Sequence, residues 1–124
     1  MGCYGIRGAI DVPRNGAEEI ANATRAVLER MVSENRIVVE DIVSVIFSAT
    51  RDLDAAPPAR AARALGWTET PLFCVQEMEV RRGLPRCIRV LMHVNGDRPS
   101  GGVRHVYLGR AATLRPDWAK EERT

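Results

Sequence analysis

Ile42-Val43-Ser44-Val45-Ile46-Phe47-Ser48-Ala49-Thr50 is rich in β-branched and aromatic residues, and its composition reads as a strand buried on both faces. It follows a helical segment. Asn15-Gly16 with Glu18 and Glu19 marks the helix start, with Asn15 as the expected cap and the two acids at the positive end of the dipole. Ile20, Thr24, Val27, Leu28, Met31 and Val32 then recur at helical spacing, and Asn35 is a suitable stop. Before the helix, residues 3–10 alternate as a strand, with Tyr4, Ile6 and Ile10 on one face and Cys3, Gly5, Arg7 and Ala9 on the other. Strand, helix, strand in that order predicts a right-handed parallel crossover.

Downstream, Pro57-Pro58 opens a short second helix through Leu65, closed by Gly66, and Arg60 and Arg63 share a face of it. Strands are expected at about 71–80 and 86–94, joined by the turn Arg81-Arg82-Gly83-Leu84-Pro85, which reads as solvated along with Arg86. A glycine-rich loop over 96–102 leads to a last strand at 103–108 and a short tail over 115–124. The expected architecture is therefore α+β, one domain spanning 1–124, with a mixed sheet packed by two helices. A chain of 124 residues buries roughly two-thirds of its unfolded surface, enough for a core but not for a deep private cleft.

Three of these strands carry a charge where the pattern should bury something neutral: Arg7 in the first, Glu77 in the third and Arg89 in the fourth. An ion in a water-poor site persists only when it is paired or used by a ligand. Arginine keeps its charge at any physiological pH, and its planar fork matches a carboxylate. Alternation lets Arg89, Glu77 and Tyr107 converge on one side of the sheet, where they suit a small anion that also offers a hydroxyl. On local pattern alone, a buried Arg–Glu pair completed by the tyrosine serves equally well. No serine or cysteine sits in a nucleophile elbow, so an enzyme built on these residues works by positioning and fixed charge.

Composition removes several classes. The chain has two each of Phe, Trp and Tyr, too few for a base-stacking platform, and a net charge of +2 without a basic stripe, so no nucleic acid is expected. No apolar run approaches the ~20 residues of a membrane span, and Met1-Gly2 leads directly into a strand with no signal peptide. Cys3, Cys74 and Cys87 are an odd set without Cys-x-x-Cys spacing, which predicts reduced thiols in the cytoplasm. Joined with His93 and His105 they lack the local pairing of zinc ligands, so no metal and no cofactor are expected.

Gly5-Ile6-Arg7-Gly8-Ala9, Ser48-Ala49-Thr50 with Asp52-Leu53, Cys74-Val75-Gln76-Glu77-Met78, Cys87-Ile88-Arg89-Val90, Arg104-His105-Val106-Tyr107-Leu108 and Leu114-Arg115-Pro116 occur in that order. Together, over about residues 3–117, they resemble the monofunctional chorismate mutases of the trimeric α/β class. The resemblance implies conversion of chorismate to prephenate in aromatic amino acid biosynthesis. It also implies a homotrimer forming a pseudo α/β barrel, with active sites at subunit interfaces. It further implies that Arg7 and Tyr107 hold a substrate carboxylate, that Arg89 contacts the ether oxygen and a carboxylate, and that Glu77 takes the ring hydroxyl. Arg63, with Arg60 where the family usually has lysine, would come from a neighbouring subunit. Phe73, Cys74 and Leu114 would line the pocket, partly covered by the tail after Arg115. Pro57, Phe73 and a stretch before Trp67 one residue shorter than in some relatives depart from the family pattern at the pocket rim. Two alternatives fit the same interfacial arginine: a trimeric imine or enamine deaminase, and a non-catalytic trimeric sensor of a small carboxylic acid.

Overall fold

The computed structural model describes residues 2–119; the last residues of the expected tail, 120–124, lie outside the described residues. In chain order the elements are β1 (Cys3–Asp11), α1 (Ala17–Glu34), a 3-10 turn (Val39–Asp41), β2 (Ile42–Ala49), α2 (Ala59–Ala64), β3 (Leu72–Gln76), β4 (Cys87–Asn95), β5 (Val106–Leu108), a second 3-10 turn (Gly109–Thr113) and α3 (Pro116–Ala119). The five strands form one mixed sheet in the order β3-β2-β4-β1-β5. β4 runs antiparallel to both β1 and β2, whereas β5 joins β1 and β3 joins β2 in parallel. Thus β1 and β2 point the same way, as the strand–helix–strand order predicts, but β4 lies between them.

Alternation decides what each face of the sheet does. Ile6 of β1, Val45 and Phe47 of β2, and Ile88, Val90 and Met92 of β4 are fully buried. They pack with Ile20, Val27, Leu28 and Met31 of α1 in one core, each such side chain contributing roughly 1.5–3 kcal/mol by leaving water. α1 lies very close to β1: a Cβ built on Gly8 would stand 2.5 Å from Met31 Sδ and 3.1 Å from Val27 Cγ2. A side chain there would have to displace the buried Met31.

The opposite face is covered only in part: Ser44, Ile46 and Ser48 of β2 are half-buried, whereas Ala9, Cys87 and Tyr107 are buried with Ala111, Leu114 and Trp118 packed on them. The expectation that β2 is buried on both faces is therefore corrected, because the main helix packs on one side only.

Three other boundaries and one turn residue differ from the sequence reading, each because a side chain or a turn takes up backbone groups. Gly16 rather than Asn15 caps α1. Asn15 instead binds the loop before α2, accepting the Asp54 and Ala55 N–H groups at 3.1 Å and donating to Asp54 Oδ1 at 2.8 Å. The third strand ends at Gln76, not at residue 80: the Glu77 N–H makes a last bond to the Ala49 carbonyl at 2.9 Å before the chain turns away. The last strand starts only at Val106 because the Arg104 backbone is held by the buried Asn35 amide, with both hydrogen bonds at 2.8 Å. Arg86 is not simply solvated. Its backbone N–H donates to Asp52 and its Nε to the Val12 carbonyl at 2.9 Å.

α2 ends as its glycine predicts. Gly66, at φ +95°, lets the Trp67 N–H reach the Ala62 carbonyl at 3.1 Å while the Gly66 N–H reaches that of Arg63 at 3.0 Å.

Candidate active site

Strand register assembles a row of residues across the open face of the sheet. Ser48 of β2 lies opposite Arg89 of β4, Arg89 opposite Ala9 of β1, and Ala9 beside Tyr107 of β5. Directly paired residues project to the same side, so these four share a face. Arg7, two residues before Ala9, projects there as well. Ala9 contributes only a methyl group between the arginines and the tyrosine, and it is fully buried against Cys87, Tyr107 and Ala111.

Arg89 and Glu77 meet on this face, with Arg89 Nε 3.5 Å from Glu77 Oε1 and side-chain exposures of 32% and 23%. The same Glu77 oxygen accepts a hydrogen bond from the Ser48 hydroxyl. Arg89 Nε itself is buried and has no hydrogen-bond partner among the described residues. A buried, permanently charged N–H without an acceptor is costly, and it marks the place where an oxygen of a ligand would be favoured. Beside it opens a cavity of about 370 Å³, lined by Thr50, Glu77, Met78, Leu84 and Arg89 among others. The turn expected over 81–85 forms one wall through Gly83, Leu84 and Pro85.

Tyr107 is buried, and its hydroxyl is held above the ordinary phenol range chiefly by loss of solvent, an effect that the Arg7, Arg89 and Arg115 charges oppose. It therefore stays a neutral donor. Leu114 packs on the small cluster of Ala9, Cys87, Tyr107 and Ala111. Burial likewise pushes the Cys87 thiol up to about 11, so it is an inert, protonated group and no nucleophile.

The C-terminal segment lies over this end of the face. The Trp118 ring is 3.9 Å from the His105 ring and 5.8 Å from that of Tyr107, and the Arg115 guanidinium sits 3.4 Å above it. His105 Nδ1 accepts the Arg7 backbone N–H at 2.9 Å, taking the place of a strand bond. An Nδ1 used as an acceptor belongs to the unprotonated form. Burial, with Arg115, Arg7 and Arg98 nearby, holds the imidazole below its usual range, against a smaller opposing effect of Asp117.

The sequence-predicted residues thus fall into two groups. Arg7, Glu77, Arg89, Tyr107 and Leu114 come together on the open face. Cys74 is on the other side of edge strand β3, where it lines a second cleft of about 350 Å³ with Leu53, Pro57 and Pro58. Arg60 and Arg63 stand exposed on α2, which begins at that cleft, and Phe73 is 65% exposed on β3. Of this second group, Phe73 pairs with Ile46 and so projects to the same sheet face as Ser48 and Arg89, whereas Cys74 pairs with Phe47 on the other. Ser48, His105 and Trp118 carry no role in the sequence reading, although the alternation that places Arg89 could have pointed to Ser48. Among the described residues, no helix is long and apolar enough to cross a membrane, and no group of three or more His, Cys, Asp or Glu residues could hold a metal ion.

Comparison with known proteins gives the family. The family model for chorismate mutase type I matches residues 3–118. The chorismate mutase AroH of Bacillus subtilis is 47% identical over 121 residues, covering 97% of this chain and 95% of the relative. That of Thermus thermophilus is 48% identical over 114 residues, covering 91% and 93% respectively. The solved structure of a chorismate mutase from Clostridium thermocellum superposes with a TM-score of 0.86 at 48% identity, covering 90% of this chain and 99% of that one. These matches lend no support to the deaminase or sensor alternatives. With a match from the first strand to the last helix, the chain belongs to the chorismate mutase type I family.

Proposed function

We propose that this protein is a chorismate mutase, an isomerase that rearranges chorismate to prephenate. The observation that carries the reading is the buried Arg89 Nε, which lacks a hydrogen-bond acceptor among the described residues and lies beside Glu77. In a Claisen-type rearrangement the ether C–O bond breaks as a C–C bond forms within the same molecule. When C–O cleavage runs ahead, negative charge gathers on the ether oxygen. A guanidinium already aimed at that oxygen stabilises the transition state more than the ground state, which is what raises a rate. Arg7 and the neutral Tyr107 hydroxyl hold a substrate carboxylate, Glu77 accepts a hydrogen bond from the ring hydroxyl, and Leu114 packs against the substrate. Gripping the diacid in its compact conformer lowers the barrier further.

The active site is shared between subunits of a homotrimer. The open face is wide and shallow within one protomer, and α2 with β3 presents Arg60, Arg63, Phe73 and Cys74 at the far edge of the same sheet. A neighbouring copy that brings this edge over the Arg7–Arg89 face encloses the substrate and adds two cations for its carboxylates. The exposed Phe73, Val75, Met78 and Val80 suit burial in such a contact.

The direct test is to add chorismate to the purified protein with a chelator present and to follow the loss of its ultraviolet absorbance. The product should convert to phenylpyruvate in acid. No turnover at micromolar enzyme would refute the assignment.

A further inference from the structure

Glu77 and Arg89 are close enough to form a full hydrogen-bonded pair, yet they do not. Glu77 Oε1 stops 3.5 Å from Arg89 Nε, and that N–H is left without an acceptor among the described residues. A carboxylate beside a guanidinium in a partly water-excluded site normally closes to hydrogen-bonding distance, since charge-assisted bonds are the strong ones. What anchors that oxygen is the hydroxyl of Ser48, which donates to Oε1 itself. Two backbone features fix this arrangement. Ser48 is directly opposite Arg89 in the β2–β4 ladder, and the Glu77 N–H is bonded to the carbonyl of Ala49, the next residue along.

We propose that Ser48 is a positioning residue: its hydroxyl holds the Glu77 carboxylate short of Arg89 Nε and so keeps that N–H free for the oxygen on which charge develops. The proposal rests on the mutase reading and adds a residue to it. If Nε were occupied by Glu77, engaging the substrate would first require breaking a charge-assisted bond, and the donor would no longer be preorganised. The ion pair would remain, but its catalytic nitrogen would be quenched. Ser48 thus separates two duties of one glutamate, neutralising the arginine and leaving it available.

Threonine and valine at position 48 have nearly the same shape and differ in the hydroxyl, so the pair Ser48→Thr and Ser48→Val isolates the bond. Both are β-branched and suit a strand. The first readout is the proton–nitrogen resonance of Arg89 Nε–H in the unliganded, full-length protein, assigned by its disappearance in Arg89→Lys. Ser48→Val should shift it to a hydrogen-bonded position and slow its exchange with water, whereas Ser48→Thr should leave it near the wild-type position. The second readout is steady-state kinetics with chorismate. Ser48→Val should lose on the order of tenfold or more in kcat with a smaller change in KM, and Ser48→Thr should restore most of kcat. If Ser48→Val fails to fold, Ser48→Ala takes its place. Equal kcat for the hydroxyl-bearing and hydroxyl-free variants, or an unmoved Nε–H resonance in the latter, overturns the proposal. A wild-type protein without chorismate turnover overturns the mutase reading instead, and the resonance still decides whether Ser48 holds the pair apart.

Discussion

Replacing Arg89 by alanine tests the mechanism most directly. The substitution removes a half-buried guanidinium whose buried Nε has no hydrogen-bond partner among the described residues. The loss is thus that of a preorganised donor to developing negative charge, which costs about 10²–10³ in kcat, or roughly 2.7–4 kcal/mol of barrier. The fold should survive. Glu77 keeps the Ser48 hydroxyl as a partner, and with Arg89 32% and Glu77 23% exposed the broken pair is partly solvated. The stability loss is then about 1–2 kcal/mol, a minor part of the ~5–15 kcal/mol typical of a folded protein. Arg89→Lys should recover only part of the rate, because an ammonium is a point charge and cannot serve an oxygen and a carboxylate in fork geometry. The assay is the initial rate of chorismate absorbance loss over a range of substrate concentrations, with thermal unfolding as the control for folding. A raised KM with kcat unchanged would refute the reasoning, since it would show that Arg89 binds substrate and transition state equally.

Shared active sites should be visible by complementation: inactive Arg89→Ala and inactive Arg63→Ala proteins, mixed and allowed to exchange subunits, should regain activity. Mixtures that stay inactive after exchange is verified by mass would count against the interfacial site. Because the rearrangement transfers no proton, kcat should be flat across neutral pH with no sizeable solvent deuterium effect, and KM should rise with salt as screening weakens the grip of several arginines on a diacid. A bell-shaped profile abolished by replacing His93 or His105 would refute this. Folding stability, by contrast, should depend on His105. Its folded form resists protonation while the unfolded form titrates near the ordinary 6.5, so its contribution is complete above that pH and is lost as pH falls below it. Denaturant unfolding of His105→Asn should show a weaker acid dependence; an unchanged one would refute the assignment. Gly8→Ala should destabilise by about 1–3 kcal/mol, because the new methyl would meet Met31 Sδ at 2.5 Å and the buried Met31 side chain or α1 must shift. Unchanged chemical denaturation would show that the side chain simply moves aside.

Much of this was legible in the order of the residues because periodicity is a local property. Alternation alone puts Arg7 opposite Ile6 and Arg89 opposite Ile88 and Val90, and so predicts which face is core and which carries charge. Helical spacing and the Asn35 stop locate α1 to within a residue or two, and Gly66 marks the end of α2 for a steric reason visible in one residue type. Six short motifs in register pointed to the family. Strand partnership is different, because it depends on hydrogen bonds between segments far apart in the chain. Nothing in residues 3–50 announces that β4 will insert between β1 and β2, nor that Asn35 and His105 will take up backbone groups and delay β5 to Val106. The same holds within the site. The sequence by itself determined that Arg7, Glu77 and Arg89 had to find partners, whereas only the tertiary structure decided that Ser48 takes the Glu77 oxygen and leaves Arg89 Nε unopposed. That outcome turns on sub-ångström differences in where the carboxylate is anchored, which register and side-chain rotamers set and no local pattern encodes.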